Sequence, residues 1–200
     1  MKFILGRKIG MSQIFDKEGK VIPLTWVEAG PCIITQIKTK EKDGYEAIQL
    51  GFIKKKLRKI KKSERGKDFK FLKEFQGISQ KDQKFKKGEK IDVTFFSEGD
   101  RVKISGLSKG KGFQGVVKRW GFSGLPKTHG TKHMLRMPGS IGQSGPERVF
   151  KGKKMAGRTG YKRVTAKNLE IVKIDPNNNL LGIKGAVPGR KGTVLEIQSQ

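Results

Sequence analysis

The chain has 200 residues, with 45 Lys and Arg against 18 Asp and Glu, a net charge of +27 and a pI near 10.3. Such a charge opposes compaction through self-repulsion unless a polyanion neutralises it. The longest apolar runs are only a few residues, too short to span a bilayer, so nucleic acid is left as the leading partner.

The N-terminus, Met1-Lys2-Phe3-Ile4-Leu5-Gly6-Arg7-Lys8, meets its second basic pair after three apolar residues. That core is too short for a secretory signal, and a cytoplasmic protein is expected. The first fifty residues alternate like strands. Val21 to Val27 follows a turn at Asp16-Lys17-Glu18-Gly19, and Cys32 to Ile37 follows a break at Gly30-Pro31. Tyr45 to Phe52 follows Asp43-Gly44, a hairpin dipeptide. The single cysteine, Cys32, lies in an apolar run and reads as a small core residue. Short strands spaced by turns favour a small antiparallel barrel or sandwich.

Residues 53–90 hold 16 basic and 5 acidic residues around Leu57, Ile60, Phe69, Phe71, Leu72, Phe75 and Ile78. Some helix within an inserted α+β lobe is expected there, with the charges on a solvated face or against RNA. Strands return at Ile91–Phe96, Arg101–Ile104, Glu170–Ile174, Leu180–Lys184 and Thr193–Ile197. The turn Asp175-Pro176-Asn177-Asn178-Asn179 marks a hairpin. The expected division is a barrel (1–52, 91–106 and 164–200), the inserted lobe (53–90) and a basic loop (107–163).

That loop is the anomaly. Leu107 to Arg163 contains 14 basic residues, 12 glycines and one acid, Glu147. Its apolar residues show neither alternation nor a helical period, so it can bury little core of its own. Cations neutralise phosphates and release counterions. Glycines let backbone N–H groups approach phosphates. The rings Phe113, Trp120, Phe122, His129, His133, Phe150 and Tyr161 can stack on unpaired bases or pack beneath the loop. The RNA-contact candidates are Lys109, Lys111, Lys118, Arg119, Trp120, Lys127, His129, Lys132, His133, Arg136, Arg148, Lys151, Lys153, Lys154, Arg158, Lys162 and Arg163.

Three enzyme-like patterns fail on their surroundings. Gly110-Lys111-Gly112-Phe113-Gln114-Gly115 matches a dinucleotide fingerprint, but the next acid, Glu147, is too distant. Gly152-Lys153-Lys154-Met155-Ala156-Gly157-Arg158-Thr159 has Arg158 where a phosphate loop needs lysine. His129 and His133 have no third metal ligand nearby, and Gly130 disfavours a helix between them. No catalytic constellation or metal site is expected, so the chain reads as a binding protein rather than an enzyme. A free RNA chaperone and an rRNA-modifying enzyme are the rival readings.

Motifs along nearly the whole chain carry a resemblance. They are Gly6-Arg7-Lys8-Ile9-Gly10-Met11-Ser12-Gln13-Ile14-Phe15, Gly110 to Gly115 with Lys118-Arg119-Trp120, and Thr128-His129-Gly130. They continue with Pro138-Gly139-Ser140-Ile141-Gly142-Gln143, Phe150-Lys151-Gly152-Lys153-Lys154-Met155-Ala156-Gly157, Leu180-Leu181 and Lys184-Gly185-Ala186-Val187-Pro188-Gly189. Together they resemble the bacterial form of the large-subunit ribosomal protein L-three family. The resemblance implies a mainly β fold: a six-stranded, translation-protein-like antiparallel barrel, a smaller inserted lobe and a long loop reaching toward the peptidyl transferase centre. It also implies direct binding of large-subunit rRNA, a part in early assembly, and neighbours such as L-fourteen and L-nineteen. Gln143 matches a glutamine methylated in some members. No cofactor is implied beyond magnesium ions held by the rRNA.

Overall fold

The structure is a computed structural model that describes residues 1–56, 58, 60–64, 66, 68–76 and 85–200. Strands dominate it. In chain order they are β1 (Phe3–Phe15), β2 (Val21–Ala29), β3 (Cys32–Lys38), β4 (Ala47–Lys54), β5 (Phe69–Gln76) and β6 (Lys90–Ile91). There follow β7 (Arg101–Leu107), β8 (Gly112–Gln114), β9 (Gly157–Thr159), β10 (Arg163–Asp175), β11 (Leu180–Lys184) and β12 (Val194–Ser199). The helices are the short α1 (Lys40–Asp43) and α2 (Val116–Trp120), with 3₁₀ turns at Lys62–Glu64 and Val93–Phe95. The chain divides into two compact units, 1–107 with 163–200 and 108–162.

In the first unit, six antiparallel strands close a barrel in the order β1-β12-β7-β10-β11-β2, with β2 returning to β1. Closure leaves the barrel no unpaired edge. The period-2 pattern explains which side faces in: Val102, Ile104 and Gly106 of β7 are buried between exposed or half-buried neighbours, and Leu195 and Ile197 of β12 repeat it. The β1–β2 register slips between Lys8 and Gly10. Such a bulge re-aims side chains. Here Lys8 is buried, and its ammonium donates to the carbonyls of Val187 at 2.8 Å and Gly189 at 3.2 Å.

Gly6 marks a close approach of β1 to β2. A Cβ there would lie 2.6 Å from Val27 Cγ1 and 3.0 Å from the Glu28 carbonyl. Gly6→Ala must therefore part the two strands or displace Val27. It is expected to cost about 2 kcal/mol, read as a lowered denaturation midpoint.

The second sheet runs β5-β4-β3-β6. The sequence pattern groups 1–52 with the barrel, but β3 and β4 pair only within this second sheet. The corner at Gly30-Pro31 makes the difference. Gly30 has φ +76, and a Cβ on it would stand 3.1 Å from the Ile91 carbonyl. The chain turns there into a sheet where β4 is paired on both sides, which suits its nearly unbroken apolar run. Asp43-Gly44 forms no two-residue hairpin. It closes α1, with Gly44 at φ +80 and its N–H on the Lys40 carbonyl.

The helix expected within 53–90 is absent among the described residues. That region supplies β5 and the 3₁₀ turn at Lys62–Glu64, while Leu57 and Ile78 lie outside the described residues. Ile91–Phe96 is likewise a two-residue strand followed by a 3₁₀ turn. Cys32 is fully buried and donates to the Leu5 carbonyl at 3.4 Å. Burial pushes its thiol up to about 12, so it stays protonated.

A polar cluster lies on the second sheet. Lys38 donates to the Tyr45 hydroxyl and pairs with Glu74 at 3.0 Å, while Tyr45 and Gln49 also donate to Glu74. The hydrogen bond from Lys38 is the main cause holding the Glu74 carboxyl below its ordinary value, against the opposing effect of burial. The hydrogen bonds with Tyr45 and then Glu74 raise the Lys38 ammonium. Glu74 therefore contributes stability that is present above its unfolded value of 4.5 and lost as pH falls through its lower folded value. The Lys38 contribution is present below 10.5 and lost as pH rises through its higher folded value. Glu74→Gln is expected to lower the melting temperature at neutral pH and to flatten its fall below pH 4.5. A variant profile parallel to that of the parent would contradict the assignment.

Candidate nucleic-acid interface

Residues 108–162 carry thirteen Lys and Arg and one acid, Glu147. Their stem is built on backbone. Ser108 N–H donates to the Lys162 carbonyl at 2.9 Å, Lys162 N–H to Ser108 Oγ at 3.2 Å, and Lys111 N–H to the Thr159 carbonyl at 2.9 Å. β8 and β9 then pair Gly112 with Thr159, Phe113 with Arg158 and Gln114 with Gly157. Gly160 turns the chain at φ +76, where a Cβ would run into the Lys109 carbonyl.

Beyond the stem, α2 ends at Gly121 in the left-handed region. Its Val116 is the one large apolar side chain of this unit that is buried among the described residues. Arg119 Nη1 and Trp120 Nε1 both donate to the Met155 carbonyl, at 2.7 and 2.8 Å. The Arg119 guanidinium lies 5.0 Å from the Trp120 ring centroid, and the Lys154 ammonium 5.9 Å. Gly157 leaves the room Arg119 occupies, since a Cβ there would stand 2.5 Å from Nη1. Arg119 and Trp120 thus tie α2 with their polar atoms to the segment that leads into β9.

The other candidates are placed differently. Lys109, Lys111, Lys118, Lys127, His129, Lys132, His133, Arg136, Arg148, Lys151, Lys153, Lys154, Arg158 and Lys162 are all exposed, as is Gln143. Arg163 belongs to the barrel unit and is ion-paired with Glu196, which Lys73 also meets at 3.3 Å. No group of three or more ligating side chains occurs among the described residues. Between α2 and β9 the backbone is held by a few bonds across loops and turns, such as Leu125 N–H on the Leu135 carbonyl and Met137 N–H on the Met134 carbonyl, both at 3.1 Å.

With one carboxylate among thirteen cations, this surface offers phosphates many exposed donors and almost no repulsion. It also exposes Phe113, Met134, Met137, Ile141, Phe150 and Tyr161, which reads as a surface to be covered. Phe113 and Tyr161 were visible in the sequence only as rings. The β8–β9 register places Phe113, and the left-handed turn after β9 places Tyr161.

Comparison with known proteins gives one answer. Residues 74–180 match the family described as ribosomal protein L3. A relative from Thermosipho africanus, named large ribosomal subunit protein uL3, is 49% identical over 205 residues, covering 100% of this chain and 98% of the relative. Relatives of the same name from Carboxydothermus hydrogenoformans and Chloroherpeton thalassium are 48% and 50% identical. Each of those alignments covers 98% of this chain, with 96% and 98% of the respective relative.

Proposed function

The chain belongs to the ribosomal protein L3 family, and from that premise we propose that it grips and braces folded large-subunit rRNA. It is a structural, non-enzymatic constituent of the large subunit, binds rRNA, and works in the cytoplasmic ribosome beside other ribosomal proteins. The observation that carries the RNA-binding role is the segment 108–162, with thirteen cations, one acid and a single large buried apolar side chain. A segment with so little core and so much unneutralised charge orders best against a polyanion.

The finer reading follows from the same resemblance. The barrel, of the translation-protein type, is the anchor, the second sheet of β3 to β6 a smaller insertion, and the segment 108–162 the part that threads between rRNA helices toward the peptidyl transferase centre. The chain joins the particle early in assembly, with L-fourteen and L-nineteen as neighbours. Gln143 is the candidate for methylation, and any magnesium at the interface is held by rRNA.

Salt-washing purified large subunits tests the proposal. An integral protein stays with the particle through washes that strip loosely bound factors. Release at moderate salt would show instead a chaperone that exchanges on and off.

A further inference from the structure

We propose that the stem of the 108–162 unit carries a stacking platform, formed by Phe113, Arg158 and Tyr161, that receives one unpaired RNA base. The inference rests on the rRNA-binding reading and assigns a subsite within it. Phe113 and Arg158 are directly opposed partners of the β8–β9 ladder, so both side chains stand on one face. The Arg158 guanidinium lies 5.2 Å from the centroid of the Tyr161 ring. Two rings therefore share a face with one planar cation, and they remain 76% and 58% exposed.

The opposite face of the stem is unlike it. Gly112 has no side chain, its partner Thr159 is half-buried, and Gln114 folds its amide back onto the Lys111 carbonyl at 2.5 Å. Phe113 and Arg158 thus stand on one side of a ladder too short to build a core of its own, and Tyr161 joins them through its contact with Arg158.

The backbone gives a second, independent sign. Tyr161 has φ +52, a left-handed conformation that a bulky L side chain rarely adopts. It follows Gly160, also left-handed, and is held from both sides by Gly160 against Lys109 and by the Ser108–Lys162 hydrogen bonds. A disfavoured geometry fixed by its surroundings, and used to present an exposed ring, points to a binding role. Packing does not require it, because the ring covers little.

Charge selects the occupant. Lys109, Lys111 and Lys162 are exposed near the platform in sequence, and they supply phosphate contacts on either side of a stacked base. A guanidinium beside the Tyr161 ring adds cation–π attraction to a π-face. A protein partner would have to bring an acidic, aromatic-binding surface to a unit holding thirteen cations. An unpaired base with its flanking phosphates meets the same demands directly.

Ultraviolet crosslinking of the full chain bound to large-subunit rRNA, followed by peptide mass spectrometry, tests the platform without any substitution. A nucleotide on Phe113 or Tyr161 is the expected result. Filter binding at several salt concentrations supplies the second measurement. Phe113→Leu and Tyr161→Gly are each expected to weaken binding about tenfold at every salt concentration, since stacking carries no counterions. Tyr161→Gly relieves the left-handed φ, so its loss of affinity would not come from misfolding. Crosslinks confined to other parts of 108–162, or stem crosslinks to a protein, would overturn the platform, as would parental affinity in both variants. These results leave the rRNA-binding reading standing. Absence of rRNA binding by the unsubstituted chain would overturn both.

Discussion

Replacing residues 108–162 by Asn-Gly, so that Leu107 leads through a two-residue turn into Arg163, is expected to leave a folded barrel unit that binds large-subunit rRNA on the order of 10³-fold more weakly. Leu107 and Arg163 are antiparallel partners, and Asn-Gly suits the tight turn such a pair needs. The barrel register and the main hydrophobic cluster lie wholly outside the excised segment. The excision removes thirteen cations and one acid, taking the net charge from +27 to +15. If about half of those cations meet phosphates, the slope of log K against log salt should flatten by roughly five. Affinity within about tenfold of the parent would place the RNA grip on the barrel unit instead. Unfolding of the shortened chain, seen by circular dichroism, would contradict the independence of the barrel core.

The largest effect on stability is expected from Phe3→Ala. Phe3 is fully buried on β1, and its ring lies 5.2 Å from Phe75 of β5, 5.5 Å from Phe85 and 6.2 Å from Phe95. One side chain thus joins the barrel to the second sheet within a single cluster. Truncation removes the ring and leaves a cavity that rigid sheets cannot close. A loss of about 4 kcal/mol is expected, set against a total of about 5–15 kcal/mol for an ordinary domain. At a net charge of +27 the chain has less reserve, so urea denaturation should be run at fixed moderate salt. A loss below about 1 kcal/mol would mean that the two sheets do not share the core described.

Much of the strand pattern was legible because period-2 alternation is local. β7, β11 and β12 stand within a few residues of their expected places. The hairpin at 175–179 also follows from local chemistry: the Asp175 carboxylate accepts from the backbone N–H groups of Asn177 and Asn178, and Asn179 takes φ +53. Sheet membership was not legible. Alternation says that β3 and β4 are strands, but Gly30 and the pairing with β5 and β6 decide which sheet they join. Asp43-Gly44 misled because a helix terminus and a hairpin both use glycine at positive φ.

In the basic segment, charge was the readable signal, since each acid placed against RNA would be repelled. Its single acid, Glu147, fits a surface that faces phosphates. The roles of individual residues were less legible. Arg119 and Trp120 carry the composition of RNA contacts, yet their donors converge on the Met155 carbonyl. Arg163 faces Glu196, 33 residues away in sequence. Phe113 and Tyr161 gain meaning only once the fold sets Arg158 opposite the first and against the ring of the second.

The most direct test of an rRNA-gripping function is the salt dependence of the intact chain binding to large-subunit rRNA. The slope of log K against log salt should be steep, about −5 or steeper, as several phosphates give up their counterions to this surface. A slope near zero would contradict it.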